Sequence, residues 1–182
     1  MSVTSGGGGL RWLEVAEGFE GVVIDDLTGL QALLELDRSP GRRWRPPVAE
    51  LVREDAGRPL ARAAAPYLNR SVLVLRDEAV EGLGRLLAPH GALVPLKCAD
   101  AELVAFVAPV VDLLDEEASE LVRFDSGRVM DVLRPRFREG ADAHPAFRVS
   151  SMPAGPLFVS AGLAEELSGS GPLSGTSLVP VP

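Results

Sequence analysis

The hydrophobic pattern of this chain changes period partway along. Residues 27–36 place apolar side chains at 27, 30, 33, 34 and 36, a helical spacing that follows a short strand candidate, Val22-Val-Ile, ended by Asp25-Asp26. Residues 49–65 read as a second helical stretch, broken at Pro59. Residues 71–87 read as the best helix. Its apolar positions are 72, 73, 75, 79, 80, 83, 86 and 87, with Asp77, Glu78, Glu81 and Arg85 mostly on the other side, and Pro89, His90 and Gly91 end it. Between the first two lies a loop rich in Pro and Gly, residues 37–47, with arginines clustered around Trp44.

From Ala92 onward the texture is that of strands. Leu93-Val-Pro-Leu-Lys-Cys and Leu103-Val-Ala-Phe-Val are two runs joined by a hairpin-sized connection. Leu121-Val-Arg-Phe and Val129-Met-Asp-Val-Leu form a second pair, turned by Asp125-Ser126-Gly127. Phe147-Arg-Val-Ser, Leu157-Phe-Val and Gly175-Thr-Ser-Leu-Val-Pro are further strands. Ser160 sits where a helix N-cap belongs, ahead of Ala161-Gly-Leu-Ala-Glu-Glu-Leu. The mixed order, without a βαβ repeat, predicts an α+β fold: one compact domain with a mainly antiparallel sheet and a few helices. Phe106, Phe147 and Phe158 are its expected core residues, on three different strands.

Composition narrows the function classes. The 182 residues carry a formal net charge of −8, whereas nucleic-acid binders need a basic surface to neutralise phosphates. An acidic surface suits a basic protein partner. No apolar run approaches the ~20 residues that span a bilayer, and the start of the chain lacks the pattern of a secretory signal, so the expected compartment is the cytoplasm. Cys98 is the only cysteine, which leaves no internal disulfide and no multi-cysteine zinc site. In an apolar strand it is expected to be buried and inert.

The densest chemistry is acidic: Asp112, Asp115, Glu116, Glu117 and Glu120 crowd one segment. A calcium loop would need a central glycine among alternating oxygen ligands, and none is present. The expected roles are structural for Asp112, Asp115, Ser119 and Gly127, as turn formers. Glu116, Glu117 and Glu120, with Trp44, are the candidate partner contacts. The chain shows no nucleophile elbow, P-loop or zinc-protease motif. No catalytic residue, cofactor or metal is therefore expected.

Residues 64–182 also carry a set of phrases: Val72-Leu-Val-Leu-Arg-Asp-Glu78, Gly91-Ala-Leu-Val-Pro95, Asp112-Leu-Leu-Asp115-Glu-Glu-Ala-Ser119, Phe124 to Gly127, Phe137, Ala146-Phe-Arg-Val149, Leu157-Phe-Val-Ser160 and Leu173-Ser-Gly175. In this order they resemble a bacterial immunity-protein family, formerly described as a domain of unknown function and typified by the immunity protein of a myxobacterial toxin pair. Ala92 stands where that family has an acidic residue. The resemblance implies a cytoplasmic protein that binds and neutralises a co-encoded toxin or effector enzyme, such as a nuclease, a protease or another hydrolase. It marks residues 64–182 as a family-like core and 10–63 as a variable part where partner choice is expected, while the glycine run makes residues 1–9 an expected flexible lead. The competing expectations are a small enzyme using scattered residues such as His90, Asp112 and Asp115, and a scaffold or oligomerisation module.

Overall fold

The computed structural model describes residues 9–37, 39–171 and 173–182. The flexible lead expected over residues 1–9 lies, apart from Gly9, outside the described residues. The elements run β1 (Leu10–Val15), β2 (Gly21–Val23), α1 (Leu27–Leu34), β3 (Glu50–Val52), β4 (Glu54–Asp55), β5 (Arg58–Pro59), β6 (Leu73–Arg76), α2 (Glu78–Leu87), β7 (Ala92–Leu96), β8 (Leu103–Val107), β9 (Val110–Val111), β10 (Glu120–Arg123), β11 (Val129–Arg134), β12 (Ala146–Val149), β13 (Phe158–Ser160), α3 (Ala161–Gly169) and β14 (Thr176–Pro180).

Two sheets carry the core. One has the order β14-β1-β13-β12-β9 and the other β6-β8-β7, while β2–β3, β4–β5 and β10–β11 are separate two-stranded ribbons. Every pairing between these strands is antiparallel except β12 with β9. The fold is thus α+β and mainly antiparallel, in one compact domain.

The three-stranded sheet is covered on both faces. Leu73, Leu75 and Phe106 pack with Leu83 and Leu87 of α2 and Leu163 and Leu167 of α3. Val72, Val74 and Val94 pack with Val22 and with Leu33 of α1. All five residues of β8 are buried, as its continuous apolar run requires. A third cluster joins Trp12, Phe147 and Phe158 to Val132 of β11, with Phe137 edge-on to both phenylalanines. Phe106, Phe147 and Phe158 are fully buried, on β8, β12 and β13.

Two expected helices are corrected. Residues 49–65 form no helix. Arg53 to Pro59 instead makes a tight hairpin, with Ala56 and Gly57 both at positive φ (49° and 79°) between the paired Asp55 and Arg58. Two consecutive positive φ values define the hairpin turn that matches strand twist, and a helix cannot contain them. Residues 71–87 split into β6 and α2. The run Val72 to Leu75 is apolar at every position and buried on both faces, so it fits a strand covered on both sides better than one stripe of a helix. Asp77, at φ 51°, turns the chain from strand to helix.

Cys98 is half-buried rather than buried, because it lies just past the end of β7. The Ser160 side chain does cap α3, accepting from the Leu163 amide at 3.3 Å.

Arg148 of β12 is the largest fully buried side chain. All five guanidinium N–H groups donate to main-chain carbonyls. Nε and Nη2 reach Ala108, Nη1 reaches Leu34 and Pro153, and Nη2 also reaches Leu36. Burial pushes this guanidinium down to about 10, and the charge of Asp37 partly offsets the fall. It remains a cation at neutral pH. Replacing Arg148 with Lys keeps the charge but loses the planar fork, leaving several buried carbonyls without donors. We expect Arg148→Lys to lower unfolding free energy by about 3–5 kcal/mol in chemical denaturation. A loss near zero would mean the fork is dispensable.

Candidate protein-binding surface

The acidic segment folds as a turn locked by Asp115 and Ser119. The Asp115 carboxylate accepts from the amides of Glu117 (3.2 Å) and Ala118 (3.1 Å). Its carbonyl accepts from the Ser119 amide (3.0 Å) and hydroxyl (2.6 Å). The Ser119 hydroxyl in turn accepts from the Arg136 amide (2.8 Å), and the Asp115 amide donates to the Arg136 carbonyl (2.8 Å). Gly127 closes the next turn at φ 81°, donating to the Phe124 carbonyl.

Asp112 takes no part in this turn, which corrects its expected role. It is exposed and paired with Arg138 at 3.1 Å. It lies just past the end of β9, and its carboxylate also accepts from the Ser150 hydroxyl at 3.5 Å.

The three glutamates do not form one open acidic face. Glu116 is half-buried and bonds Arg123 at 2.8 Å, and Glu120 faces Arg134 at 3.6 Å. Among the described residues, Glu117 alone of the three has no ion pair. Both arginines come from the β10–β11 hairpin that follows. Trp44 packs on the α1 side of the core, with its indole N–H buried and without an acceptor. An arginine–tryptophan contact occurs elsewhere: the Arg70 guanidinium lies over the Trp12 ring at 5.0 Å.

The hairpin has an uncommon edge. Its register skips Leu133 between the Glu120–Arg134 and Leu121–Val132 pairs, and skips Met130 between Val122–Asp131 and Arg123–Val129. These two bulged residues are both exposed, as is Phe124 at the tip. A bulge turns its extra side chain away from the ladder, so the backbone itself delivers these apolar groups to solvent.

A second surface was not foreseen. An open groove of about 750 Å³ lies between the end of β1, the β2–β3 ribbon and the β4–β5 hairpin. In the ribbon, Gly21 pairs with Val52 and Val23 with Glu50, so these residues share one face, while Val22 and Leu51 point to the core. That outer face gives the groove Val23 and Val52, while the end of β1 adds Val15 and the segment before β2 adds Phe19. Val15, Phe19 and Val23 are 54%, 36% and 39% exposed, which is high for large apolar side chains gathered in one concavity. Glu17, Glu54 and Asp55 also line it, against one arginine, Arg58. Among the described residues none of these four is in an ion pair. Tyr67 closes one side, and partial burial, then the Glu14 carboxylate, push its phenol up.

The groove is held from beneath by buried charge. Glu20, between Phe19 and Gly21, is turned inward, where it pairs with the equally buried Arg76 and accepts from the Ala63 amide. Arg76 also donates to Asp77, which accepts from Arg62 and from the Glu102 amide. Partial burial alone would raise the Asp77 carboxyl, but the bonds from Arg62, Glu102 and Arg76 outweigh it, and the group is held below its ordinary 3.8.

His90, Asp112 and Asp115, the residues of the enzyme alternative, do not line the groove. Among the described residues no group of His, Cys, Asp or Glu is arranged to hold a metal, and no helix is long and apolar enough to cross a membrane. No protein-family model matches the chain, and no curated protein matches it.

Two outcomes follow. Asp115→Ala orphans two amides and is expected to cost about 1–3 kcal/mol of stability, while Asp112→Ala stays within about 0.5 kcal/mol. Equal losses in denaturant titrations would refute this division of roles. Asp77→Asn tolerates the same positive φ but removes the charge. A depressed carboxyl contributes stability above its unfolded value of 3.8 and loses it as pH falls through the folded value. The variant should therefore be less stable than the parent at neutral pH, and the gap should close in acid. A gap independent of pH would exclude the charge as its cause.

Proposed function

We propose that this protein acts by binding another protein: a cytoplasmic immunity or inhibitor protein that docks on a basic toxin or effector enzyme encoded beside it and silences it. The observation that supports this reading is the groove, where exposed apolar side chains sit inside a rim of unpaired carboxylates. An apolar floor supplies the desolvated centre of an interface and an unpaired acidic rim supplies steering toward a basic partner. The position of the groove agrees with the reading, since most of it comes from residues 15–60, within the part of the chain where partner choice is expected. The resemblance in residues 64–182 points the same way. In the acidic segment, Glu117 is the candidate contact with its charge unspent, while Glu116 and Glu120 act first on their own hairpin.

The test is co-expression with the product of the adjacent gene. The expected results are a stoichiometric complex, loss of that product's activity on binding, and an association rate that falls as salt rises. Absence of both complex and inhibition, with each protein folded, would sink the reading.

A further inference from the structure

We infer that the groove takes an extended segment of the partner chain in which apolar and basic side chains alternate. The inference rests on the binding role proposed above and adds the form and chemistry of what enters. The argument begins with shape. The groove is an open trough walled by two ribbons and a turn, not a closed cavity, and its volume of about 750 Å³ is within the range of sites that hold small segments or ligands. An extended chain projects successive side chains to opposite sides. Its inward set then meets Val15, Phe19 and Val23, and its outward set meets the rim.

The charge of that rim selects the outward set. Three carboxylates, Glu17, Glu54 and Asp55, stand against Arg58, which leaves a net charge of −2. Other charged groups facing this region are already committed. Glu20 is buried against Arg76, Arg53 pairs with Glu20 and Asp100, and Glu14 pairs with Arg70. The free carboxylates are thus concentrated at the mouth of the apolar trough. A lysine or arginine there gains a partner without displacing an existing ion pair. A glutamate-bearing segment meets like charge.

The floor is also built to keep its shape. Glu20 is fixed to Arg76 and the Ala63 amide, and this fixes the residues on either side of it, Phe19 and Gly21. The β4–β5 wall is closed by a two-residue turn, leaving little slack in the rim. A preformed trough lowers the ordering cost of binding on this protein's side, so that cost falls on the incoming segment.

The experiment uses the full-length protein and two short synthetic peptides, one alternating valine with lysine and the other valine with glutamate. Amide shifts are followed by NMR during titration. The lysine peptide is expected to bind, to weaken as salt rises, and to perturb residues 15–23 and 52–60. The glutamate peptide should be at least tenfold weaker. Combining Glu54→Gln with Asp55→Asn should weaken the lysine peptide several-fold, and Phe19→Asp should weaken it by about tenfold or more, since the floor is lost. Val23→Asp serves the same purpose if Phe19→Asp does not fold. Met130→Asp, on the remote hairpin, should leave binding unchanged. The inference is overturned if neither peptide binds, if both bind equally, if the shifts fall outside the groove, or if the floor variants bind as well as the parent. If the adjacent gene product binds while the peptide does not, the binding role stands and only the extended segment falls. If the peptide binds in the groove and the gene product does not, the groove stands as a site and the immunity role falls.

Discussion

A guanidinium taken out of water must recover every hydrogen bond it gives up, and Arg148 recovers all five from main-chain carbonyls. The donors of one side chain therefore fix four places at once. Leu34 and Leu36 lie at the end of α1, Ala108 lies between β8 and β9, and Pro153 lies in the loop before β13. Secondary structure alone leaves the carbonyls at a helix end without partners. Here those of α1 are satisfied by an arginine that arrives from a strand more than a hundred residues later. The five-stranded sheet and the packing of α1 on the three-stranded sheet are thus coupled through one charged group. No hydrophobic contact of the same size is so directional.

Glu20 and Arg76 do for the groove what Arg148 does for the core. Arg76 ends β6, a strand buried on both faces, so its position is set by the three-stranded sheet. Glu20 meets it there, and the peptide on either side of Glu20 is turned outward. Phe19 is exposed for this reason: its neighbour is committed inward, and strand geometry sends adjacent side chains to opposite sides. The exposed apolar floor is a consequence of the buried ion pair. An uncompensated buried carboxylate is costly, so loss of Arg76 would release Glu20 to solvent and unmake the floor with it.

Most strands after Ala92 were legible because short apolar runs alternate there with strong turn residues, as at Asp125-Ser126-Gly127, although the two-residue β9 was not. The N-cap at Ser160 was legible from residue type alone. Residues 71–87 misled because a run that is apolar at every position, Val72 to Leu75, satisfies the helical and the strand template equally. Only its burial on both sides decides between them. Residues 49–65 misled because Ala56 carries no mark of the positive φ it adopts. The acidic segment was visible, but its neutralisation was not, since Arg123 and Arg134 reach Glu116 and Glu120 only once β10 and β11 have paired. The groove was invisible for the same reason. Its floor and rim come from separate segments, and exposure is a property of the assembled surface.

Two glycines, Gly91 and Gly175, have steric causes. A Cβ at Gly91 would lie 2.5 Å from the Val107 carbonyl oxygen and 2.6 Å from the Phe106 ring, at the start of the β7–β8 pairing. Gly175 adopts φ 98°, and a Cβ there would lie 2.7 Å from both the Ala63 side chain and the Ala65 carbonyl oxygen. Asp115 and Ser119 are spent on a turn, and Phe147 and Phe158 on the core. These positions answer to packing and so constrain the fold, whatever the protein binds. The floor and rim of the groove are under no such demand. Val15, Phe19, Val23, Glu54 and Asp55 all keep exposed side chains, outside the buried clusters. The surface of the groove can therefore vary at these positions while the packing beneath it, which includes Leu13, Val22 and Leu33, stays the same.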